Sequence, residues 1–400
     1  MAKTTRTPRR FSFFLDLFFK EQSFPFFIQK VKNEYLNTVL YEQQEALVKT
    51  ADFSLTTIYD FPNYLSLSLP KDQLALKQLT APLYPGYLAD LRTHTSADDY
   101  ILHQVGKARS SKLRRHQNRL DLCLEPTYTM YYGAIDKTEY DRLFTILKQM
   151  TALRFRQKNE NNFELPYLDY YQDIMFTMVL EKRAAIYVIY DVLKPINITL
   201  NFLNGKTLLH FNSCFDIDYG MFNLGHLNTI KHLRWCYDNK LHLFDMGRGD
   251  FFHKRQWINT TYTYEKHIIY HVKNPLAKLK AQAEVAQTLL RHQLIASLKK
   301  IKFHILYGQM RKALYRIRQP KESEKPTYTV LEGHVINNAS DLVKIPYDVA
   351  PYTHLIFYVN AFLHKNFELK KNCQVYQNRT SENTFIIKGK KNIQQLVVSN

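Results

Sequence analysis

The alternation of apolar and polar positions predicts a sheet in the middle of the chain. Between residues 184 and 215, β-branched and aromatic residues form three runs, AAIYVIYDVL, INITLNFLN and KTLLHFNSCFD, separated first by Lys194-Pro195 and then by Asn204-Gly205. An Asn-Gly pair between two such runs is a strong hairpin signal. The pattern therefore predicts an antiparallel meander over about 184–215.

Apolar residues three and four positions apart predict helices on both sides of this meander. The segments 138–157 and 223–239 have this spacing and are predicted to be amphipathic helices. Asn239 is expected to end the second of them in a left-handed conformation. Upstream, SSKLRRHQNRL at 110–120 predicts a basic helix that Ser110 caps. LHLFDM, which follows Asn239, predicts a strand.

The length of 400 residues and the changes in pattern predict four regions. Residues 1–105 read as a small mixed α and β region, in which Tyr84-Pro85-Gly86 predicts a turn. The meander and its flanking helices fall within 106–270. A basic helical segment is expected over 271–320, and a small module with short strands over 327–400.

The charge balance favours anionic partners. The chain has 55 Lys and Arg against 36 Asp and Glu, a formal net charge of +19, and 45% hydrophobic residues, which excludes a disordered chain. Phosphate-bearing cofactors, nucleic acid, anionic glycans and membrane surfaces all remain open as partners. The segment 274–318 concentrates this charge, because Glu284 is its only acid beside ten cations.

The spacing of the cysteines, histidines and apolar residues indicates the cellular compartment and bears on metal binding and membrane insertion. The four cysteines and the scattered histidines lack metal-ligand spacing, so we predict buried thiols, a reducing compartment and no metal site. The apolar run FSFFLDLFF is interrupted by Asp16 and followed by Lys20, and no run reaches the ~18 residues that a membrane span needs. We expect a cytoplasmic protein, with a peripheral position at the inner membrane face left open.

Polar chemistry is concentrated in FDMGRGDFFHKRQW, residues 244–257, which begins in the last residues of the predicted strand. Two glycines there allow a sharp backbone turn, and Asp, His and Lys side chains are suited to proton transfer. The alternative is a structural turn in which Asp250 pairs with Lys254 and Trp257 only packs.

Three motifs resemble a known family. SSKLRRHQNRL, FDIDYGMFNLGHL and FDMGRGDFFHKRQW resemble motifs of the CelD-like acetyltransferases, which are GNAT-type relatives of the FemABX peptidyltransferases, over roughly 106–257. Two positions depart from the family pattern, since Leu224 replaces a proline and His253 replaces a tyrosine. The resemblance implies a mixed α+β GNAT fold with a central, mostly antiparallel sheet, in which residues 1–105 would be a partial GNAT-like half.

The resemblance also implies a reaction and a set of residues. Acetyl-CoA or another acyl-CoA would donate an acyl group to an amino or hydroxyl group of a cell-surface polysaccharide precursor or related acceptor. The pyrophosphate would lie at the start of the helix after Gly225, where free N–H groups bind anions. The candidates are Asp245, Asp250, His253, Lys254 and Asp216 for catalysis; Tyr219, Gly220, Asn223, Leu224 and Gly225 for the cofactor; and Arg114, Arg115, Arg119 and Trp257 for the acceptor.

Two other functions stay open at this point. A FemABX-like transferase would use aminoacyl-tRNA, with 274–318 supplying phosphate contacts. A non-catalytic protein on the same fold would bind an anionic polymer or a membrane surface through its basic residues. Neither the acceptor nor a stable protein partner is indicated by the residues.

Overall fold

The computed structural model describes residues 9–19, 24–25, 27–43, 55–70, 75–162, 164–249, 251–318, 326–333 and 341–398. Within these ranges, no helix combines the length and the apolar character required to cross a membrane. The described cysteines, Cys123, Cys214, Cys236 and Cys373, are all buried free thiols, as predicted.

The strands and helices are numbered in chain order. The strands are β1 (Arg9–Ser12), β2 (Lys30–Asn33), β3 (Thr38–Glu42), β4 (Leu55–Pro62), β5 (Leu65–Ser68), β6 (Leu76–Asp90), β7 (Thr127–Tyr131), β8 (Ala184–Asp191), β9 (Lys194–Asn204), β10 (Thr207–Phe215), β11 (Leu243–Arg248), β12 (Thr260–His271), β13 (Tyr328–Glu332), β14 (Leu342–Ile345), β15 (Gln374–Asn378), β16 (Ser381–Lys388) and β17 (Ile393–Val398). The α-helices are α1 (Ala97–Val105), α2 (Lys107–Leu124), α3 (Lys137–Gln157), α4 (Leu165–Leu180), α5 (Leu224–Asp238), α6 (Phe252–Arg255), α7 (Pro275–Lys300), α8 (Phe303–Arg318) and α9 (Ile356–Asn366).

The central sheet has nine strands in the order β1-β4-β12-β6-β11-β10-β9-β8-β7. All neighbouring pairs are antiparallel except β1 with β4 and β10 with β11. The predicted mixed fold with a mostly antiparallel central sheet is therefore confirmed. The sheet takes strands from both sides of residue 105, where the sequence pattern suggested a boundary.

Each face of the sheet is covered by its own helices. On one face, α1, α2 and α5 pack against apolar side chains of β8, β10 and β11. On the other face lie α3, α4 and the π-helical turn Phe13–Phe18. The N-terminal aromatic run is thus part of the core, and the ring of Phe19 stacks on Phe202 with centroids 3.7 Å apart.

The meander forms as predicted. β8, β9 and β10 pair in sequence, and Asn204 and Thr207 flank a two-residue turn in which Gly205 has a φ of 55°. Most of the side chains of β8 and β9 are buried because helices cover both faces at this point.

Two predicted helix ends are wrong. α2 begins at Lys107 after Gly106, so Ser110 lies inside the helix and does not cap it. At the end of α5, Asn239 has a φ of −97°, and Lys240, with a φ of 53°, is the left-handed residue. The side chain of Asn239 donates instead to the carbonyl of Trp235 at 2.9 Å, which satisfies an acceptor of the last turn.

The predicted turn at Tyr84-Pro85-Gly86 is also wrong, because these residues lie within the 15-residue strand β6. Proline fits there because the pairing of β6 is irregular on both sides, where bulges relax the need for an N–H donor. Gly86 is opposite Tyr262, whose ring covers it.

Three further units adjoin the central sheet. β2, β3 and β5 form a three-stranded antiparallel sheet with the order β3-β2-β5. β13–β17 form a five-stranded sheet with the order β13-β17-β16-β15-β14, within the region expected to be a small module. Its helix α9 contacts the 3-10 helix Ile217–Phe222, where Asn360 donates to the carbonyl of Asp218 at 2.9 Å. The basic segment 274–318 consists of α7 and α8.

Substitution of Gly86 tests the close approach of β6 and β12. A Cβ at this position would lie 2.2–2.6 Å from atoms of the Tyr262 ring, so Gly86→Ala should lower the free energy of unfolding by about 1–3 kcal/mol. Gly308→Ala is the matched control, because a Cβ in this helix meets no atom within 4 Å. Urea unfolding should give the control equal or higher stability; equal loss in both variants would contradict the packing.

Candidate functional site

The parallel strands β10 and β11 separate after a short contact. Only Thr207–Leu209 of β10 pair with Leu243–Asp245 of β11. Beyond that point β10 bulges between His210 and Asn212 and follows β9, whereas β11 follows β6 as far as Arg248. The two strands therefore leave a wedge along the second half of β10, where Ser213 is exposed.

Helix α5 begins beside this wedge with an open end. No side chain caps its first turn, which starts after Asn223 in a left-handed conformation with a φ of 61°. Gly225 is exposed, and a Cβ built there would meet only the Phe215 ring, at 4.0 Å. Unshielded N–H groups at a helix start attract anions, so this end is suited to bind a phosphate.

Cationic side chains from α2 and α3 lie near this helix start. The guanidinium of Arg154, from α3, lies over the Phe215 ring at 4.3 Å from its centroid. Arg109, from α2, donates a hydrogen bond to Gln256. Partial desolvation lowers the pKa of His253, and the nearby charges of Lys254, Arg154 and Lys158 lower it further. The helix start thus faces a positive environment.

His226, in the first turn of α5, is a member of this cluster. Its Nδ1 accepts from the indole N–H of Trp257 at 3.1 Å. Burial lowers the pKa of His226 to about 4, and the charge of Arg109 adds to this effect. The ring is therefore neutral at pH 7 and, since Nδ1 accepts, we assign its proton to Nε2.

Asp245 is the last residue of β11 that pairs with β10, and its side chain lies on the opposite face of the sheet from α5. Its side chain is fully buried and accepts from the hydroxyls of Tyr64 and Tyr262, each at 2.8 Å, and from the N–H of Gly247 at 2.7 Å. Burial raises its pKa to about 6, although these hydrogen bonds oppose the shift.

Lys254 binds the backbone at the end of β11. Its ammonium donates to the carbonyls of Met246 and Arg248, each at 2.6 Å. Burial lowers its pKa to about 8, against the opposing influence of Asp245. Asp250, which was expected to act in catalysis or to pair with Lys254, lies outside the described residues. His253 is exposed beside Phe251, on which its ring stacks.

Asp216 and Tyr219 make structural contacts. Asp216 pairs with Lys194 at 2.8 Å and caps the N–H of Asp218 at 3.0 Å. The buried hydroxyl of Tyr219 donates to Asp191 at 2.8 Å, and Lys370 of the C-terminal module donates to the same carboxylate.

The other predicted residues divide between the surface and the interior. Gly220 and Gly225 are exposed, Asn223 is half-buried, and Leu224 is buried. Arg114 and Arg115 are exposed on α2, whereas Arg119 lies over the Phe367 ring at 4.1 Å from its centroid. Trp257 is fully buried and contacts the site through its bond to His226. Their roles in binding stay predictions.

Sequence reasoning missed Arg109, Arg154 and His226. Arg154 lies near the end of a helix read only for its apolar spacing, and His226 follows Gly225 directly. A histidine and an arginine near a predicted anion-binding turn were the available signals.

A group of three or more His, Cys, Asp or Glu side chains arranged to hold a metal ion is absent from the described part of the chain.

Buried Asp245 should give a pH-dependent stability. Its pKa of about 6 exceeds the ~3.9 of an unfolded chain, so the folded state retains a proton that the unfolded state has lost. The free energy of unfolding should fall by roughly 2–3 kcal/mol as pH rises from about 4 to about 6, and this contribution should be constant above.

Urea unfolding at a series of pH values measures this effect. Asp245→Asn should abolish this decrease in the free energy of unfolding, whereas Asp238→Asn, at an exposed position, should retain it. An unchanged pH profile for Asp245→Asn would show that another group titrates.

Comparisons with known proteins are consistent with this geometry. Residues 107–255 match the family model of the acetyltransferase (GNAT) domain. A search of curated proteins found no significant match. The chain therefore contains a GNAT-like domain, and the narrower resemblance to CelD-like proteins stays a prediction.

Solved structures that resemble part of this chain include the following three. FemX is 11% identical, with 57% of this chain and 74% of that chain covered and a TM-score of 0.40. The C-terminal domain of a putative lysylphosphatidylglycerol synthetase from Agrobacterium fabrum is 13% identical, with 60% and 72% covered and a TM-score of 0.34. A tandem GNAT protein from the clavulanic acid biosynthesis pathway is 10% identical, with 54% and 63% covered and a TM-score of 0.30. Similarity of this degree does not identify a substrate.

Proposed function

We propose that this protein is an acyl-CoA-dependent acyltransferase that modifies an amino or hydroxyl group of a polysaccharide precursor or related acceptor. The observation that carries the proposal is the wedge between β10 and β11 beside the uncapped start of α5. The match of residues 107–255 to the acetyltransferase (GNAT) domain supports the same chemistry. The four free thiols suit a reducing, cytoplasmic setting.

The residues present fit the phosphates of an acyl-CoA. The first N–H groups of α5 would receive the pyrophosphate at Gly225, where the absence of a side chain permits close approach. Arg154 would add a charge-assisted hydrogen bond from beside Phe215. The pantetheine arm would then extend along the wedge, toward the strand end at Asp245, with Tyr219, Gly220, Asn223 and Leu224 forming the turn that presents the helix.

The reaction needs one proton to be removed and one to be supplied. The acceptor nitrogen or oxygen attacks the thioester carbon, the carbon–sulfur bond breaks, and the CoA thiolate leaves. Asp250 or His253 would take the acceptor proton. Lys254, with a pKa of about 8, could return a proton to the thiolate, and backbone N–H groups of the wedge would stabilise the oxyanion.

The residues of two surface cavities are candidates for contact with the acceptor. Arg255, the neighbour of Lys254, lines a cavity of about 550 Å³ together with Tyr35, Tyr87 and Thr261. Arg114 lines a smaller cavity of about 240 Å³, whose other residues include Asp98. The first is the better candidate, since it adjoins α6 and offers hydroxyl and aromatic groups that suit a sugar.

A thermal-shift titration of the full chain with acetyl-CoA and with bulk tRNA, at low and at high salt, tests the proposal. Stabilisation by acetyl-CoA that persists at high salt is expected for a shaped site. A FemABX-like use of aminoacyl-tRNA would instead give a tRNA response, and the diffuse contacts of a basic surface would be lost at high salt. Absence of any acetyl-CoA response at saturating concentration would overturn the proposal.

Arg154→Gln should weaken CoA binding by about tenfold, the effect of losing a hydrogen bond to a charged group. Arg379→Gln, an exposed cation of the C-terminal module, is the matched control and should bind as the wild type does. Isothermal titration of both variants with CoA measures the difference. Equal affinities for the two variants would exclude Arg154 from the phosphate site.

Near-isosteric substitutions can identify the base. Asp250→Asn or His253→Gln should lower turnover by a factor on the order of 100, with the melting temperature nearly unchanged. Transfer of acetyl groups from acetyl-CoA to an amine acceptor is the measurement. If both variants keep full activity, neither is the base, and a bound water or the region around Asp216 would have to supply it.

A further inference from the structure

The helical segment after β12 changes from partly buried to fully outside the core halfway along α7. Its first half is fixed to the sheet, since Ala277 and Ala281 are buried against Leu55, Ile268 and Tyr270. Thr288 is the last buried residue, and no described side chain from 289 to 318 is buried. The end of α7 and all of α8 thus lie outside the core, and one side of α8 borders a shallow cavity with Asn159–Asn161; we call residues 289–318 the projecting arm.

One side of α8 is apolar along its whole length. Its apolar residues recur three and four positions apart, which places them on one stripe of the helix. Their relative exposures lie between 43% and 79%, for Phe303, Leu306, Tyr307, Met310, Leu314 and Ile317. Monomeric proteins rarely leave so continuous an apolar stripe exposed, so it indicates a partner.

The charge of the projecting arm has a single sign. Residues 289–318 contain no Asp or Glu and have eight cations, namely Arg291, Lys299, Lys300, Lys302, Arg311, Lys312, Arg316 and Arg318. On α8, Arg311 and Arg318 border the apolar stripe, and Lys312 and Arg316 lie on the opposite side of the helix.

We infer that the projecting arm binds the surface of an anionic lipid bilayer, with α8 lying in the plane of the headgroups. The apolar stripe would enter the boundary of the acyl chains, and the flanking cations would contact lipid phosphates. This inference is independent of the acyltransferase proposal. Taken together, the two proposals would place the transfer of the acyl group at a membrane surface.

The chemistry of the stripe favours lipid over the two other occupants. Nucleic acid would use the cations but would leave Leu306, Met310 and Ile317 without an apolar partner. A second copy of the chain would cover the stripe but would bring two sets of like charges together, at an electrostatic cost. A bilayer with anionic headgroups satisfies both features at once.

Vesicle flotation of the full chain tests the inference. Binding is expected to vesicles of equimolar phosphatidylcholine and phosphatidylglycerol and to be weak with phosphatidylcholine alone. The triple variant Met310→Gln, Leu314→Gln and Ile317→Gln should lose binding by about tenfold or more, because its stripe no longer transfers apolar groups from water.

A matched control removes equally exposed leucines elsewhere. Leu122→Gln, Leu180→Gln and Leu193→Gln, at positions 42%, 44% and 81% exposed, should bind vesicles as the wild type does. A second variant, with Arg311 and Arg318 changed to Gln, should bind anionic vesicles about fivefold less tightly for each charge removed at low salt.

Three results would overturn the inference. The first is a vesicle result: no binding to either kind of vesicle, equal binding to neutral and anionic vesicles, or binding that the Met310, Leu314 and Ile317 variant leaves unchanged. The second is tRNA binding tighter than vesicle binding and insensitive to that variant, which would make the arm an RNA-binding surface. The third is sedimentation showing a dimer that the variant converts to a monomer. Acyl transfer to a water-soluble acceptor separates these outcomes from failure of the proposed activity, since the arm variants should leave it unchanged.

Discussion

The hydrogen bonds to the Asp245 carboxylate hold together the part of the sheet on which the rest of the molecule depends. They join the end of β11 to Tyr64 of the N-terminal region and Tyr262 of β12, at the position where β10 leaves its partner. A buried carboxylate is costly without donors, so three donors at one site fix the course of three chain segments. Because Gly247 is one of the donors, the same contacts set the direction in which the chain turns toward α6.

On the other face, buried polar contacts hold α5 against the sheet. The amide of Asn228 donates to Asn197 of β9 and to the hydroxyl of Thr199, which in turn contacts Ser213 of β10. Unlike apolar packing, such bonds tolerate little rotation or sliding, because a displaced donor would be buried without a partner. The open start of α5 is consequently held at a defined position beside the wedge, as the proposed alignment of a thioester with an acceptor would require.

The sequence was most informative where one local pattern decides the structure. The meander follows from β-branched runs and a single Asn-Gly turn, and LHLFDM was correctly predicted to form a strand, although β11 continues past Asp245 to Arg248. Contacts between distant segments were not predictable in the same way. Gly86 reads as a turn residue, but its role is set by Tyr262. Trp257 was expected to bind the acceptor or only to pack, and its bond to His226 was not foreseen. Likewise, the cations of 274–318 were evident, whereas the exposure of the apolar residues among them depends on where the core ends.

The burial of the aromatic turn Phe13–Phe18 bears on how the chain is synthesised. Phe19 stacks on Phe202, and β6 pairs with β12 across a separation of more than 170 residues. During translation, this apolar segment is therefore synthesised long before the residues that it packs against. Contacts between residues far apart in the sequence also slow folding. Until β9 emerges from the ribosome, these phenylalanines have no native partner in that strand to exclude water. A nascent chain of this kind is a natural client for chaperones that bind short aromatic stretches, and slowing translation before residue 202 would prolong its exposure to aggregation.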